Sequence, residues 1–347
     1  MGIEIRLASE GDAVEWNNFI EKSHYGTIFH TWEWLKIAEK YSISKIFNTP
    51  IKCKLYPLMG YHGKELVTIF PLFRYKYFYY DLVTSPPRGV EIPYLGPVLK
   101  DYERQSKRES FLSDFIEEVN TFTSSNFKPL ATILITSPGF FDHRPFYWNG
   151  YKSIAPLCTY EISLSPDLET IKNSFSKDVR HQISNAQTKG VEMQIGVNGV
   201  DSIYELLFMR RMEQGGTRLS STMSPKEYIS NIYAKFSQTN LKTIIAYYKG
   251  EVIGGLITVN YKDKVQAWFG QPKPQIDGVN ELMTWRMIAW AKENGYKKYE
   301  IIDGPARTPQ LCNFKSKFNP YLVPYFTAKK MNSKIIDLFV YARSLWF

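Results

Sequence analysis

Residues 243–252 read Thr-Ile-Ile-Ala-Tyr-Tyr-Lys-Gly-Glu-Val, and this stretch is the strongest indication of the fold. Its β-branched and aromatic residues predict a strand up to Tyr248. Gly250 predicts a tight turn, because glycine accepts a positive φ without steric cost. Residues 252–261 then return as a second strand, and residues 265–270 add a third. The stretch therefore predicts an antiparallel hairpin extended by one more strand.

A helix and a closing strand follow this hairpin. Asn280 offers a helix N-cap, and Glu281 in the first turn suits the positive end of the helix dipole. Apolar residues at helical spacing continue to Gly295, which is expected as the residue that ends the helix. Residues 298–303 predict the closing strand. The order of elements is thus strands, helix, strand.

Composition limits the class of protein. The chain has 347 residues, enough for about two domains, and 44% of them are hydrophobic, which is typical of a globular protein. The net charge of +9 predicts an anionic partner such as RNA, a nucleotide-linked substrate, CoA phosphates or a membrane face. The basic residues are dispersed, which argues against a dedicated nucleic-acid patch.

Three isolated cysteines, Cys53, Cys158 and Cys312, favour a reducing compartment and argue against a disulfide framework or a zinc site. The first residues do not resemble a signal peptide, and no apolar run approaches the roughly 18 residues of a membrane span. We therefore expect a soluble, cytoplasmic protein without a metal site and without a transmembrane segment.

The first half repeats this element order. Residues 61–65 and residues 248–251 each predict a hairpin turn, and each hairpin is followed by an amphipathic helix and a strand. We predict two related α/β domains, residues 1–159 and 160–347, with mixed, largely antiparallel sheets and a ligand cleft between them. Residues 84–97, rich in Pro and Gly, are expected as a loop, and residues 335–347 as a basic-ended amphipathic helix.

Residues 177–189 predict a helix with two distinct faces. Val179, Ile183 and Ala186 form a narrow apolar stripe. A second face combines polar and basic side chains whose donors can converge on an anion. That second face consists of Lys177, His181, Asn185 and Lys189.

Four stretches together resemble the FemAB family of the GNAT superfamily, whose members are tandem-GNAT aminoacyl or acyl transferases. They are Ile28–Trp34, similar to the family's N-terminal Phe-x-x-x-x-x-Trp segment; Arg180–Val191, similar to its Arg-x-x-Ile…Ala…Gly-Val helix; Asn280–Tyr296, similar to its long helix; and Phe314–Phe318, similar to its Phe-Lys-x-x-Phe-Gly signature. The likeness spans nearly the whole chain. It implies two GNAT-like domains and transfer of an acyl or aminoacyl group to an amine.

The chain departs from the family pattern in two places. Asn319 stands where the signature has Gly, and residues 271–280 lack the Gly-rich pyrophosphate loop of acetyl-CoA-using GNAT enzymes. The resemblance therefore leaves both acyl-CoA and aminoacyl-tRNA open as the co-substrate, with no tightly bound cofactor. The acceptor is expected to be a small or nucleotide-linked molecule, with tRNA as a further partner if it is the donor; the oligomeric state stays open.

Acyl transfer to an amine needs a neutral nucleophile and a stabilised oxyanion. The resemblance implies splayed strands whose backbone N–H groups serve the oxyanion, and the sequence has no Ser-His-Asp or nucleophile-elbow pattern. Lys315 is our candidate cation beside the reacting carbonyl; the alternative is a solvated surface lysine. Asp303 is our candidate acceptor of the amine proton; the alternative is a turn-capping residue.

Six further residues are candidates for substrate binding, each with a structural alternative. Arg180 can clamp a phosphate or carboxylate, or make a surface ion pair. Phe314 can stack on an adenine, or pack in the core. Trp34 lies where the family's first domain meets acceptor, or it belongs to the core. The remaining candidates are His181, Asn185 and Lys36.

These observations predict a cytoplasmic FemAB-like N-acyltransferase. It would transfer the acyl or aminoacyl group directly to an amine of a small, nucleotide-linked or sugar-linked acceptor. Two alternatives from other classes are a non-catalytic module that binds RNA or an anionic glycan, and a structural scaffold.

Overall fold

A computed structural model gives the fold. It describes residues 2–42, 45–46, 49–77, 79–102, 104–127, 129–213, 224–270, 276–302 and 309–332. By its internal contacts the chain divides into two compact units. The first unit contains residues up to Leu157 and the described residues from Pro324 onward, and the second unit contains Cys158–Val323.

The described residues of the first unit form four α-helices, two short 3-10 helices and a mixed sheet. Its strands are β1 (Glu4–Leu7), β2 (Lys52–His62), β3 (Glu65–Tyr77), β4 (Tyr80–Ser85) and β5 (Pro129–Ile135), and short two-residue strands lie at Lys45–Ile46, Thr49–Pro50 and Val98–Leu99. Its helices are α1 (Ala13–Lys22), α2 (Trp32–Tyr41), α3 (Gln105–Asn126) and α4 (Arg144–Trp148).

The strands β1 to β4 pair antiparallel in chain order, and β5 pairs parallel with β4. The long helix α3 connects β4 to β5, as a parallel pair requires a crossover connection. The core of this unit is rich in fully buried aromatic side chains. They include Trp16, Phe29, Trp34, Phe70, Phe73 and Phe115.

The second unit repeats this order of elements. Its strands are β6 (Ser153–Ser163, of which residues 158–163 belong to this unit), β7 (Glu192–Ile195), β8 (Leu241–Tyr248), β9 (Glu251–Tyr261), β10 (Lys264–Gly270) and β11 (Lys298–Ile301). Its helices are α5 (Leu168–Ser174), α6 (Lys177–Thr188), α7 (Val200–Glu213), α8 (Lys226–Phe236), α9 (Val279–Glu293) and α10 (Pro309–Ser316).

In the second unit β7 to β10 pair antiparallel in chain order. After the crossover helix α9, β11 pairs parallel with β10, and β6 pairs antiparallel with β11. One apolar core joins α5, α6 and α9 to this sheet. Because Val179, Ile183 and Ala186 lie in that core, the predicted apolar stripe of α6 is confirmed.

The last strand, β12 (Tyr321–Met331), begins in the second unit and continues in the first, where Thr327–Met331 pair antiparallel with β5. Because of this strand pairing, the described residues from Pro324 onward group with the first unit by their contacts.

The mixed α/β fold and the sequence of hairpin, third strand, helix and closing strand agree with the prediction. Residues 153–163 form one continuous strand that the sequence did not predict. Two expectations were wrong. Tyr80–Ser85 is a strand that overlaps the start of the expected loop. Gly278, and not Asn280, is the N-cap residue of α9. The helix expected over 335–347 lies outside the described residues.

Candidate active site

The second unit contains the point where two parallel strands stop pairing. Lys264–Ala267 of β10 pair with Lys298–Ile301 of β11. Strand β10 continues to Gly270, three residues beyond its last residue paired with β11. The strand pairing therefore ends at Ala267 and Ile301.

A β-bulge lies beside this point. The register between β9 and β10 shifts between Ile257 and Thr258, so that Trp268 is the extra residue of β10. Bulges bend a strand and re-aim its side chains and are frequent near active sites. Gly270 follows at φ 133°, and an added Cβ would lie 2.3 Å from the carbonyl oxygen of Gly255. Only glycine permits this close approach of β9 and β10.

Lys315, on α10, also lies at the end of the β10–β11 pairing. Its side chain is 7% exposed, and its Nζ donates a hydrogen bond to the carbonyl oxygen of Ile302, the residue after β11. Lys315 is therefore not the solvated surface lysine of the alternative interpretation. A buried ammonium group lies at the end of β11, next to where its pairing with β10 stops.

The residues around Lys315 hold it in place. The Phe318 ring is fully buried, and its centroid lies 5.2 Å from that of Phe175 and 5.4 Å from that of Phe314. Phe314 is partly buried against the same core, as its structural alternative predicted. Asn319 has φ 53°, and asparagine is among the few residues that tolerate this left-handed conformation. Asn319 thus adopts the backbone conformation for which the family signature has glycine.

The start of α6 lies against the segment that follows α10. The Ser176 N–H donates to the Lys317 carbonyl oxygen at 2.9 Å, and the Lys317 ammonium group lies 2.6 Å from the Asp178 carboxylate. The structure therefore brings the Arg180 helix and the Lys315 segment together at their backbones.

The polar face of α6 is accessible. Arg180 and His181 are exposed and Asn185 is half-buried. Among the described residues no carboxylate lies within ion-pair distance of Arg180, so the surface ion pair of the alternative interpretation is not formed there. These donors are free to meet a ligand on this face of the helix.

Trp34 and Lys36 lie in the first unit, and Asp303 is outside the described residues. Trp34, in the first unit, is fully buried with its ring centroid 5.1 Å from that of Phe29, so it has no surface with which to contact a substrate. Lys36 is half-exposed and bridges Glu10 at 3.4 Å and Glu39 at 3.1 Å.

Sequence reasoning missed a buried polar network just below the end of the β10–β11 pairing. The Glu300 side chain, with no exposed surface, accepts hydrogen bonds from Thr159 Oγ1 at 2.9 Å, Gln266 Nε2 at 2.8 Å and Lys264 Nζ at 3.1 Å. Lys264 also binds the buried Glu161 carboxylate. The signal was present in the sequence, because charged residues alternate with apolar ones in these strands.

The charges of this network explain the protonation of Lys264. Burial acts to lower the pKa of Lys264, but the carboxylates of Glu300 and Glu161 outweigh it and hold that pKa above its usual range. Tyr321 donates to Glu161 at 2.9 Å, and burial together with the nearby carboxylate raises the pKa of Tyr321. The network therefore binds β6, β10 and β11 together just below the last paired residues of β10 and β11.

Helix α9 begins beside α6. An added Cβ on Gly278, at φ 89°, would lie 2.1 Å from the carbonyl oxygen of Gln182. Glu281 in the first turn is half-buried, and burial raises its pKa. The N-terminus of α9 is therefore set against the backbone of α6.

The described part of the chain contains no group of three or more His, Cys, Asp or Glu side chains that could hold a metal ion. Within the same residues, no helix has the length and apolar character needed to cross a membrane.

Comparison with known proteins supports the GNAT interpretation. Residues 173–316 match the family model of the acetyltransferase (GNAT) domain, a span that includes the β10–β11 junction and Lys315. No curated protein sequence matches the chain significantly.

Three solved structures share the fold along nearly the whole chain. The crystal structure of FemX matches with a TM-score of 0.66 at 12% identity, covering 93% of this chain and 96% of that one. L-PGS from Bacillus licheniformis matches with a TM-score of 0.54 at 12% identity, covering 97% and 98%. A tandem GNAT protein from the clavulanic acid biosynthesis pathway matches with a TM-score of 0.55 at 8% identity, covering 95% and 99%.

Residues 173–316 therefore match a GNAT acetyltransferase domain, which supports an acyltransferase. The family model and these folds support the FemAB-like resemblance in the sequence.

Proposed function

We propose that this protein transfers an acyl or aminoacyl group from an activated donor, acyl-CoA or aminoacyl-tRNA, to the amine of a small, nucleotide-linked or sugar-linked acceptor. The observation that carries the proposal is the buried Lys315 ammonium group at the end of β11, beside the last paired residue of β10. The order of elements around it is that of a GNAT domain.

In this proposal the acyl group passes directly to the amine, without an acyl-enzyme intermediate. The amine attacks the carbonyl carbon of the donor and the C–N bond forms. The C–S bond of the thioester or the C–O bond of the aminoacyl ester then breaks, and the proton lost by the amine passes through Asp303 to the departing thiolate or alkoxide. Backbone N–H groups beyond Ala267 stabilise the developing oxyanion, since donors fixed in a protected site need no reorganisation. Lys315 neutralises charge at the carbonyl or at the leaving group, and Asp303 accepts the amine proton.

The exposed face of α6 would bind the anionic part of the donor. Arg180 presents a planar fork suited to phosphate, and His181 and Asn185 add donors from the neighbouring polar face of the helix. Phe314 is proposed to cap the bound donor with the exposed part of its ring, and Lys36 to contact the acceptor. We place the reaction in the cytoplasm because none of the three cysteines, all among the described residues, forms a disulfide.

The experiment is a screen of labelled acyl-CoA and aminoacyl-tRNA donors against a pool of small amines and nucleotide sugars. The proposal predicts that one donor class supports transfer and that the label appears on an amine. Absence of transfer from both classes, together with tRNA binding that survives about 200 mM salt, would instead support an RNA-binding module.

A further inference from the structure

Exposed aromatic residues of the first unit are concentrated in one short segment. Phe141 is 60% exposed, Tyr147 is 50% exposed and Trp148 is 55% exposed. Among the described residues, the other large aromatic side chains with comparable exposure are Tyr79 and Tyr321, which stand alone in sequence. Single exposed apolar residues need no explanation, but a contiguous group marks an interaction site.

Each of the three rings carries its own cation. The Lys152 ammonium group lies 4.4 Å from the ring centroid of Tyr147, and the guanidinium carbons of Arg144 and Arg108 lie 5.8 Å and 5.9 Å from those of Trp148 and Phe141. We call these six side chains the aromatic-basic patch. Arg144 is itself paired with Glu109 and Asp142, so Lys152 and Arg108 are the cations that the patch offers to an anion.

The patch borders a polar hollow. A hollow of about 410 Å³ lies between Trp148 and the face of α3 that carries Gln105, Glu109 and three serine hydroxyls. Hydroxyl, amide and carboxylate groups beside an indole suit a small polar head group. The patch therefore combines exposed rings, cations and a polar hollow on one surface.

We propose that the aromatic-basic patch docks the protein onto an anionic lipid surface. Amphipathic aromatic residues are enriched at the water–bilayer interface. Cations beside them can bind lipid phosphates while the rings enter the region of the glycerol and the first acyl carbons. In this docking each cation keeps its observed position next to its aromatic ring.

A single-stranded nucleic acid is the competing partner, and the geometry fits it less well. Bases bind by stacking on the open faces of aromatic rings. Here one face of the Tyr147 ring is covered by Lys152 at 4.4 Å, and the other two rings also have a guanidinium group nearby. Stacking would have to displace these cations or use only one face of each ring.

The test is co-sedimentation of the full chain with vesicles of equal parts phosphatidylglycerol and phosphatidylcholine, at about 150 mM salt. The variants are Phe141→Ser with Trp148→Ser, and Lys152→Glu. Tyr79, which is 86% exposed outside the patch, and the exposed Lys64 supply the matched controls Tyr79→Ser and Lys64→Glu. Thermal unfolding of every variant verifies that the fold is intact.

We expect the wild type to bind these vesicles, and to bind vesicles of phosphatidylcholine alone more weakly. The aromatic double variant should lose at least about tenfold in apparent affinity, and Lys152→Glu on the order of twentyfold, since it reverses one charge near the surface. Both controls should bind like the wild type.

Three results would overturn the proposal. In the first, the wild type does not bind vesicles. In the second, the patch variants and the controls lose equal amounts of vesicle affinity. In the third, the wild type binds polyuridylate, and the patch variants abolish that binding while vesicle binding is unchanged. The last result would assign the patch to a nucleic acid.

Discussion

Replacing Lys264 with Met tests the role of the buried network beneath the end of the β10–β11 pairing. The Lys264 ammonium group binds two carboxylates, Glu300 with no exposed surface and Glu161 with 3%. Methionine keeps most of the volume and removes the charge. The substitution leaves two buried carboxylates at facing positions of β6 and β11 without a cation.

The expected cost follows from that geometry. Removing one partner of a buried ion pair costs about 3–5 kcal/mol, because the remaining charge is left uncompensated. For a unit of this size the melting temperature should fall on the order of 10 °C. The hydrogen bonds from Thr159 and Gln266 to Glu300 remain, so we expect the second unit to stay folded at 25 °C.

The loss should also depend on pH. In the Lys264→Met variant, the two buried carboxylates face each other as like charges, and uptake of one proton relieves that repulsion. A carboxyl with a raised folded pKa contributes stability that is present at low pH and is lost as the pH rises through that pKa. The variant should therefore recover stability, relative to the wild type, as the pH is lowered from 7 toward 5.

The assay is urea unfolding followed by far-ultraviolet circular dichroism across this pH range. Lys235→Met, at an exposed lysine of α8, is the control and should change the free energy of unfolding by less than about 0.5 kcal/mol. Adding Glu161→Gln to Lys264→Met should restore part of the loss, because the two residues are in contact. A change of under about 1 kcal/mol in Lys264→Met, with no dependence on pH, would refute the reasoning.

Three further predictions concern single positions. Asn319→Gly should be neutral or slightly stabilising and Asn319→Ala should cost about 1 kcal/mol, because φ is 53° there; urea unfolding measures both. Gly278→Ala should destabilise the protein by more than about 2 kcal/mol, since its Cβ would lie 2.1 Å from the Gln182 carbonyl oxygen; wild-type stability would show that this backbone contact is absent. The pKa of Lys264 is raised in the folded state. The contribution of its ammonium group to the free energy of unfolding is therefore present below about pH 10 and is lost as the pH rises through that raised pKa. The Lys264→Met variant should lack this loss of stability at alkaline pH.

The elements with a clear period or turn signal could be predicted from the sequence. The hairpin at Gly250, the core stripe of α6 and the end of α9 at Gly295 each follow from short-range chemistry. The tandem order of elements followed from repeating that analysis in the first half. Residues 153–163 were missed because their pairing partner, β11, lies more than 130 residues away in sequence.

The site was less predictable, because burial depends on long-range packing. Lys315 was chosen from its motif, but its burial against the end of β11 could not be inferred from neighbouring residues. Trp34 showed the opposite problem, since its motif position suggested substrate contact and the fold places it in the core. The Lys264 network required three strands distant in sequence, and only the alternation of charged and apolar residues hinted at it.

The central claim is that the Lys315 ammonium group acts at the reacting carbonyl. The most direct measurement is kcat/KM of Lys315→Met beside that of Lys235→Met, with the donor and acceptor that the wild type uses, together with donor binding by both variants. Removing one such preorganised group should lower kcat/KM by at least about 100-fold while donor binding changes little. Wild-type turnover by a folded Lys315→Met protein would contradict the account.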